Sequence, residues 1–123
     1  MGVTILLVDD HSVVRQGLRM FLSLDPDLEV VGEASNGAEG IEQARKLKPD
    51  VVLMDLLMPV MDGIEVLRRI KLQWPQVEVI IITGYQTVDT AVKAIKLGAH
   101  NYIEKPFTPD ALLAKVREVI DHA

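Results

Sequence analysis

The chain has 123 residues, 49% of them hydrophobic and 25% charged, with no cysteine and a net charge of −5. This is a single-domain length, enough to bury roughly two-thirds of the unfolded chain's surface. The acidic balance argues against direct contact with nucleic acid, which needs a basic face, and the lack of cysteine rules out disulfides, thiolate catalysis and thiolate metal centres.

The chain opens with "MGVTILLVDD". It is not a signal peptide, because no basic lead precedes the apolar run and two aspartates follow it. It is not a myristoylation site either, because Leu6 stands where Ser or Thr is required. No apolar run approaches the roughly 20 residues that cross a bilayer, so a cytoplasmic protein with no membrane contact is expected.

Five short apolar runs follow in order: "VTILLV" (3–8), "LEVVGEA" (28–34), "VVLM" (51–54), "VEVIIIT" (77–83) and "NYI" (101–103). They are rich in Val and Ile and mostly lack period-2 alternation, as strands covered on both faces do. Helical patterns lie between them. Asn36 with Glu39, and Asp62 with Glu65, have the spacing of an N-cap and its reciprocal acid. Thr108 followed by Pro109 reads as N-cap and first helical residue. Strand and helix alternate five times, which predicts one α/β domain over 1–123 with a parallel sheet and helices on both faces.

On the first helix, Val14, Leu18, Phe21 and Leu22 form a core stripe. Val13, Gly17 and Met20 widen the apolar arc to about twice the usual 100°. The surplus edge would dock a partner helix, or else bury itself against neighbouring elements.

In such a sheet, functional groups collect at the carboxyl ends of the strands. The first strand ends in Asp9 and Asp10, the third in Asp55, the fourth in Thr83, and the fifth runs into Lys105. A lone buried carboxylate after "VVLM" is costly, so Asp55 is expected at the mouth of a site. Carboxylates about 4 Å apart repel by about 4 kcal/mol at an effective dielectric near 20. A hard divalent cation relieves this, and oxygen-only donors favour Mg²⁺ over zinc. An aspartate nucleophile, Mg²⁺, a lysine and a hydroxyl together make a phosphoryl-transfer site that forms an acyl phosphate. His11 is expected as an exposed first-turn residue whose ring points away from the crevice, and not as a metal ligand.

The motifs "LLVDDH", "VLMDLLMPVMDG", "IIITGY" and "YIEKPF", in register along the whole chain, resemble those of response-regulator receiver domains of two-component signalling. The resemblance implies a doubly wound five-stranded sheet of flavodoxin-like order 2-1-3-4-5 with five helices. It implies Asp55 as phosphoacceptor, Asp9 and Asp10 holding Mg²⁺ directly or through water, and the Leu57 backbone carbonyl as a further metal ligand. Thr83 would bond the phosphoryl group, Lys105 would pair with it, and Tyr102 would be a rotating switch residue. The Lys105–Pro106 bond would be cis. The implied partner is a sensor histidine kinase or phosphotransfer protein, with a homodimer through the helix 4–strand 5–helix 5 face. The domain would be a signalling switch that catalyses only its own phosphorylation and dephosphorylation. "DDHSVVRQGL" resembles receivers attached to helix-turn-helix transcription factors, so output through a DNA-binding domain outside this chain is expected. The alternative is a stand-alone receiver or phosphorelay intermediate.

Competing readings fit the residues less well. A dehalogenase-type phosphatase needs Asp-x-Asp on strand one, which Asp9-Asp10-His11 breaks. A flavin module needs a Ser/Thr/Gly phosphate loop after strand one, where this chain has "DDHSVV". A pseudo-receiver would lack one of the key residues, and none is missing.

Overall fold

In the computed structural model, residues 2–56, 58, 63–84 and 88–121 are described, without the side chains of 88, 120 and 121. The elements run β1 (Val3–Val8), α1 (Ser12–Leu22), β2 (Leu28–Ala34), α2 (Gly37–Leu47), β3 (Val51–Asp55), α3 (Gly63–Gln73), β4 (Glu78–Gly84), α4 (Val88–Lys96), β5 (Asn101–Lys105) and α5 (Pro109–Asp121). The strands form one parallel sheet in the order β2-β1-β3-β4-β5. The expected topology is therefore observed. β5 extends two residues beyond the expected 101–103, because Glu104 and Lys105 continue the ladder opposite Thr83 and Gly84.

Alternate residues of the central strands feed two cores, which is why their sequences read as unbroken apolar runs. Ile5, Leu7, Val51, Leu53, Ile80 and Ile82 face α1 and α5, meeting Leu18, Leu22, Leu112 and Val116. Leu6, Val8, Val52, Met54, Val79 and Ile81 face the other way, onto α2, α3 and α4, with Ala44, Val66, Leu67, Ile70, Ala91 and Ala94. Every residue of β3 is buried, Asp55 included. Each fully buried Ile or Leu contributes about 1.5–3 kcal/mol, so the central strands are stiff supports for whatever their ends carry.

Local signals set several boundaries. The Asn36 side chain accepts a hydrogen bond from the Glu39 amide at 2.8 Å, capping α2. Glu39 reaches back to the Ser35 amide at 3.3 Å, one residue before the cap. The Thr108 hydroxyl accepts from the Ala111 amide at 3.1 Å, capping α5. The expected cap at Asp62 lies outside the described residues, and Glu65 falls in the first turn of α3.

The start of α3 lies against the end of β3. The Gly63 amide donates to the Leu56 carbonyl at 3.0 Å. A Cβ at Gly63 would sit 2.8 Å from Leu56 Cα and 2.9 Å from the Asp55 carbonyl oxygen. Only glycine allows this approach. Gly63→Ala must push the Asp55–Leu56 backbone aside, and this clash outweighs the helix-propensity gain of at most about 1 kcal/mol. The expected result in urea unfolding is a net loss of about 1–2 kcal/mol; an unchanged midpoint would show that the contact yields freely.

Candidate functional site

Three strand ends meet at one edge of the sheet. Val8 pairs with Met54, and Asp55 pairs with Ile82. Asp9 and Asp10 thus leave β1 beside Asp55, while Thr83 follows Ile82 on β4. Lys105 pairs with Gly84 at the end of β5. Asp9, Asp10, His11 and Asp55 each offer a ligand atom, and these atoms all lie within 4.8 Å of one another. The Lys105 Nζ donates to Asp55 Oδ2 at 3.3 Å.

The crevice is poor in compensation for its negative charge. Asp9 is wholly buried, and Asp55 is 4% exposed. Asp9 Oδ2 is buried and accepts no hydrogen bond among the described residues; Asp10 Oδ1 is also buried, with the His11 Nδ1 at 3.1 Å. Asp9 Oδ1 accepts from the His11 amide at 2.8 Å. Unsatisfied buried carboxylate oxygens cost well over 1 kcal/mol each, and each close pair of charges adds repulsion of about 3–4 kcal/mol at an effective dielectric near 20. The donor set of this cluster, carboxylate oxygens with a buried one left without a hydrogen bond, fits a divalent cation.

The remaining expected site residues fall as follows. Thr83 is 1% exposed, and its hydroxyl donates to the Gly84 carbonyl at 2.8 Å. Tyr102 is partly buried and packs on the core face shared by α2, α3 and α4. The Lys105–Pro106 bond is cis. Leu57 lies outside the described residues.

One expectation is overturned. His11 is exposed, with 61% of its side chain accessible, but its ring does not point away from the crevice. Nδ1 lies 3.1 Å from Asp9 Oδ1 and 3.1 Å from Asp10 Oδ1. His11 is the N-cap of α1 in extended conformation, with no side-chain cap hydrogen bond. The backbone therefore turns there, and the two carboxylates draw the ring inward.

Sequence reading also missed a brace behind Asp9. Arg15 donates through Nη1 to the Asp9 carbonyl oxygen and through Nε to Glu33 Oε1 at 2.9 Å. Glu33, on β2, also pairs with Arg19 at 2.7 Å. The available signal was Arg at i and i+4 on α1, with a single acid in the apolar end of β2. Burial, the largest single influence, pulls the Glu33 carboxyl upward; Arg19 and Arg15 together outweigh it and hold the group below its ordinary 4.5.

The shape of the wider surface is also relevant. Val14, Gly17, Leu18, Phe21, Lys105, Pro106 and Phe107 line an open apolar groove of about 590 Å³ that runs from α1 to the Lys105 side of the site. Val13 and Met20 stand out on α1 at 77% and 64% exposure. The surplus arc of that helix is therefore left open and is not tucked against neighbouring elements. No helix among the described residues is long and apolar enough to cross a membrane.

A pH prediction follows from the lowered Glu33. Its ion pairs stabilise the fold above the ordinary carboxyl value and stop doing so as pH falls through the native value. Glu33→Gln should destabilise by about 0.5–1 kcal/mol at pH 7, given the partial exposure of the pair. In chemical unfolding that difference should shrink toward zero below pH 4.5. A difference that grows on acidification would contradict the assignment.

Comparison with known proteins agrees with this geometry. The family profile described as "Response regulator receiver domain" matches residues 5–117. The chain is 43% identical over 115 residues to the uncharacterized transcriptional regulatory protein YhcZ of Bacillus subtilis, covering 94% of this chain and 53% of that protein. It is 41% identical over 118 residues to the response regulator protein VraR of Staphylococcus aureus, covering 96% of this chain and 56% of that one. The chain thus spans about half the length of the curated relatives it matches. Among solved structures, the REC domain of AraT, a response regulator from Geobacillus stearothermophilus, superposes with a TM-score of 0.91 at 34% identity, covering 99% and 95% of the two chains. Sheet order, strand-end chemistry and these matches over nearly the whole length agree: the chain belongs to the response regulator receiver domain family of two-component signalling.

Proposed function

We propose that this domain accepts a phosphoryl group from a phosphohistidine donor onto Asp55 and changes conformation in response. The observation that carries the reading is the setting of Asp55: a buried carboxylate at the end of a rigid central strand, 3.3 Å from the Lys105 ammonium and within 4.8 Å of the Asp9, Asp10 and His11 donor atoms.

An Asp55 oxygen attacks the phosphorus, the P–N bond to the donor imidazole breaks, and the imidazole leaves with a proton. The product is an acyl phosphate. Lys105 is placed to move its charge from the carboxylate to the incoming phosphoryl oxygens. Thr83 exchanges its Gly84 acceptor for a phosphoryl oxygen. The site also suits Mg²⁺: Asp9, Asp10 and Asp55 are oxygen donors, the buried Asp9 Oδ2 accepts no hydrogen bond among the described residues, and the Leu57 carbonyl is the fourth candidate by resemblance. Bound there, the ion would neutralise phosphoryl charge and help water hydrolyse the product. The domain would then be a self-phosphorylating switch and not a turnover enzyme.

The switch would run from Thr83 to Tyr102. Movement of the hydroxyl toward the phosphoryl group vacates space beside the β4 end, and Tyr102, on the neighbouring strand, turns inward. This alters the α4–β5–α5 face, where Val92 and Ile95 are exposed, and favours a homodimer there. Structures with and without a phosphate mimic should show both side chains displaced; if neither moves, the relay is wrong.

The donor is a sensor histidine kinase or a phosphotransfer protein. The exposed edge of α1 and the groove beside Lys105 offer its helix an apolar seat next to the nucleophile. Met20→Glu should therefore reduce phosphotransfer from the kinase roughly tenfold, the effect of losing about 1.4 kcal/mol of docking, while phosphorylation by acetyl phosphate continues. Equal rates from the kinase for variant and wild type would reject the docking face. YhcZ is named a transcriptional regulatory protein, and this chain covers 53% of its length; on that likeness we place the output in transcription, through a DNA-binding domain outside this chain. The net charge of −5 disfavours nucleic acid contact by the receiver itself.

Intact mass after incubation with acetyl phosphate and Mg²⁺ tests the chemistry. Wild type should gain one base-labile phosphoryl group, and Asp55→Asn none. A gain retained by the variant would assign the acceptor elsewhere.

A further inference from the structure

We propose that His11 makes this site a mixed nitrogen–oxygen cation site, so that borderline divalent transition ions such as Co²⁺ or Ni²⁺ bind with a direct imidazole bond that Mg²⁺ does not use. The inference rests on the metal part of the proposed function and concerns which ions the site accepts.

Three observations carry it. First, Nδ1 of His11 lies 3.1 Å from Asp9 Oδ1 and 3.1 Å from Asp10 Oδ1. Adjacent donors of a six-coordinate ion with bonds of 2.0–2.1 Å stand about 3.0 Å apart, so the spacing fits two edges of one coordination shell. Second, Asp9 Oδ2 is buried with no hydrogen-bond donor among the described residues, while Asp10 Oδ1, also buried, has the His11 Nδ1 at 3.1 Å, and Asp9 is wholly buried. The cluster is thus short of positive charge beyond what Lys105 and the ring supply. Third, the ring is held at the cluster by its contacts to the Asp9 and Asp10 carboxylates and not by a helix-capping bond, and 61% of the side chain is exposed.

Imidazole is a ligand for borderline transition ions, whereas Mg²⁺ selects oxygen and water. A bound ion would take the lone pair of Nδ1, leaving the ring proton on Nε2, which then faces solvent; any second ring proton is released to water. Arg15 holds the Asp9 backbone from behind, so the cluster need not rearrange for the ring to bind. For Mg²⁺, the same ring can stay at the rim as a hydrogen-bond donor to the carboxylates.

The test compares the wild-type domain with His11→Ala, His11→Gln and Asp55→Asn. Calorimetry measures Co²⁺ and Mg²⁺ affinities, and the visible d–d absorption of bound Co²⁺ reports its donor set. The expected outcome is a fall of at least about tenfold in the ratio of Co²⁺ to Mg²⁺ affinity in both His11 variants, with the Co²⁺ bands shifting to an all-oxygen position. An unchanged ratio and spectrum would overturn the inference and leave His11 a hydrogen-bond partner of the carboxylates. If the wild type binds neither ion, or Asp55→Asn binds both as well as the wild type does, the metal reading of the site itself fails. The two failures are therefore distinguishable. Thermal unfolding of each variant confirms that the comparison is made on folded protein.

Discussion

The structure turns on one electrostatic constraint: three carboxylates are held together at the carboxyl edge of the sheet, with Lys105 and the His11 ring in direct contact. Nothing in the packing forces Asp9, Asp10 and Asp55 apart. The parallel registers of β1 and β3 place their ends side by side, and the strands are too deeply buried to shift. Folding therefore assembles a cluster that is unfavourable in itself. The hydrophobic cores on both faces of the sheet supply the free energy that holds it. A site made in this way suits a cation, which would relieve repulsion that the fold has already imposed, whereas an anionic phosphoryl group would need that cation and Lys105 beside it.

The surroundings of the cluster divide into parts that hold and parts that can move. Gly63 locks the backbone behind Asp55, and Arg15 with Glu33 locks that behind Asp9. These are short-range, backbone-directed contacts that keep the carboxylates in register. Thr83, Lys105 and Tyr102 sit on β4 and β5, on the other side of Asp55. The Thr83 hydroxyl bonds its neighbour's carbonyl, and Lys105 is 32% exposed at the side chain. The division suits the proposed switch: rigidly held groups proposed for metal and acceptor roles on one side, adjustable groups proposed to contact the phosphoryl on the other.

Much of this was legible in the sequence, for reasons that can be named. Unbroken Val/Ile runs imply strands covered on both faces, and five of them alternating with capped helices imply the parallel sheet. Once the strands are placed, their ends place Asp9, Asp10, Asp55, Thr83 and Lys105 on one edge. What was not legible depends on side-chain direction and on contacts between distant elements. The inward turn of His11 follows from the extended backbone at the start of α1, which no periodicity reveals. The Arg15–Glu33 brace joins α1 to β2, and a charged pair separated by a loop looks like ordinary surface until the register is known. Glu104 and Lys105 read as loop because neither is apolar, yet they continue β5 through backbone hydrogen bonding alone.

The carboxylate cluster should destabilise the fold on its own and stabilise it only with a cation bound. Thermal unfolding of wild type and Asp9→Asn across a Mg²⁺ titration tests it most directly, since Asn keeps the Oδ1 acceptor for the His11 amide and removes one charge. Without metal, the variant should melt higher than wild type. With Mg²⁺ at ten times its dissociation constant, wild type should gain about 1.4 kcal/mol, and the variant should gain much less. A variant that melts lower without metal, or one that responds to Mg²⁺ as wild type does, would contradict the account.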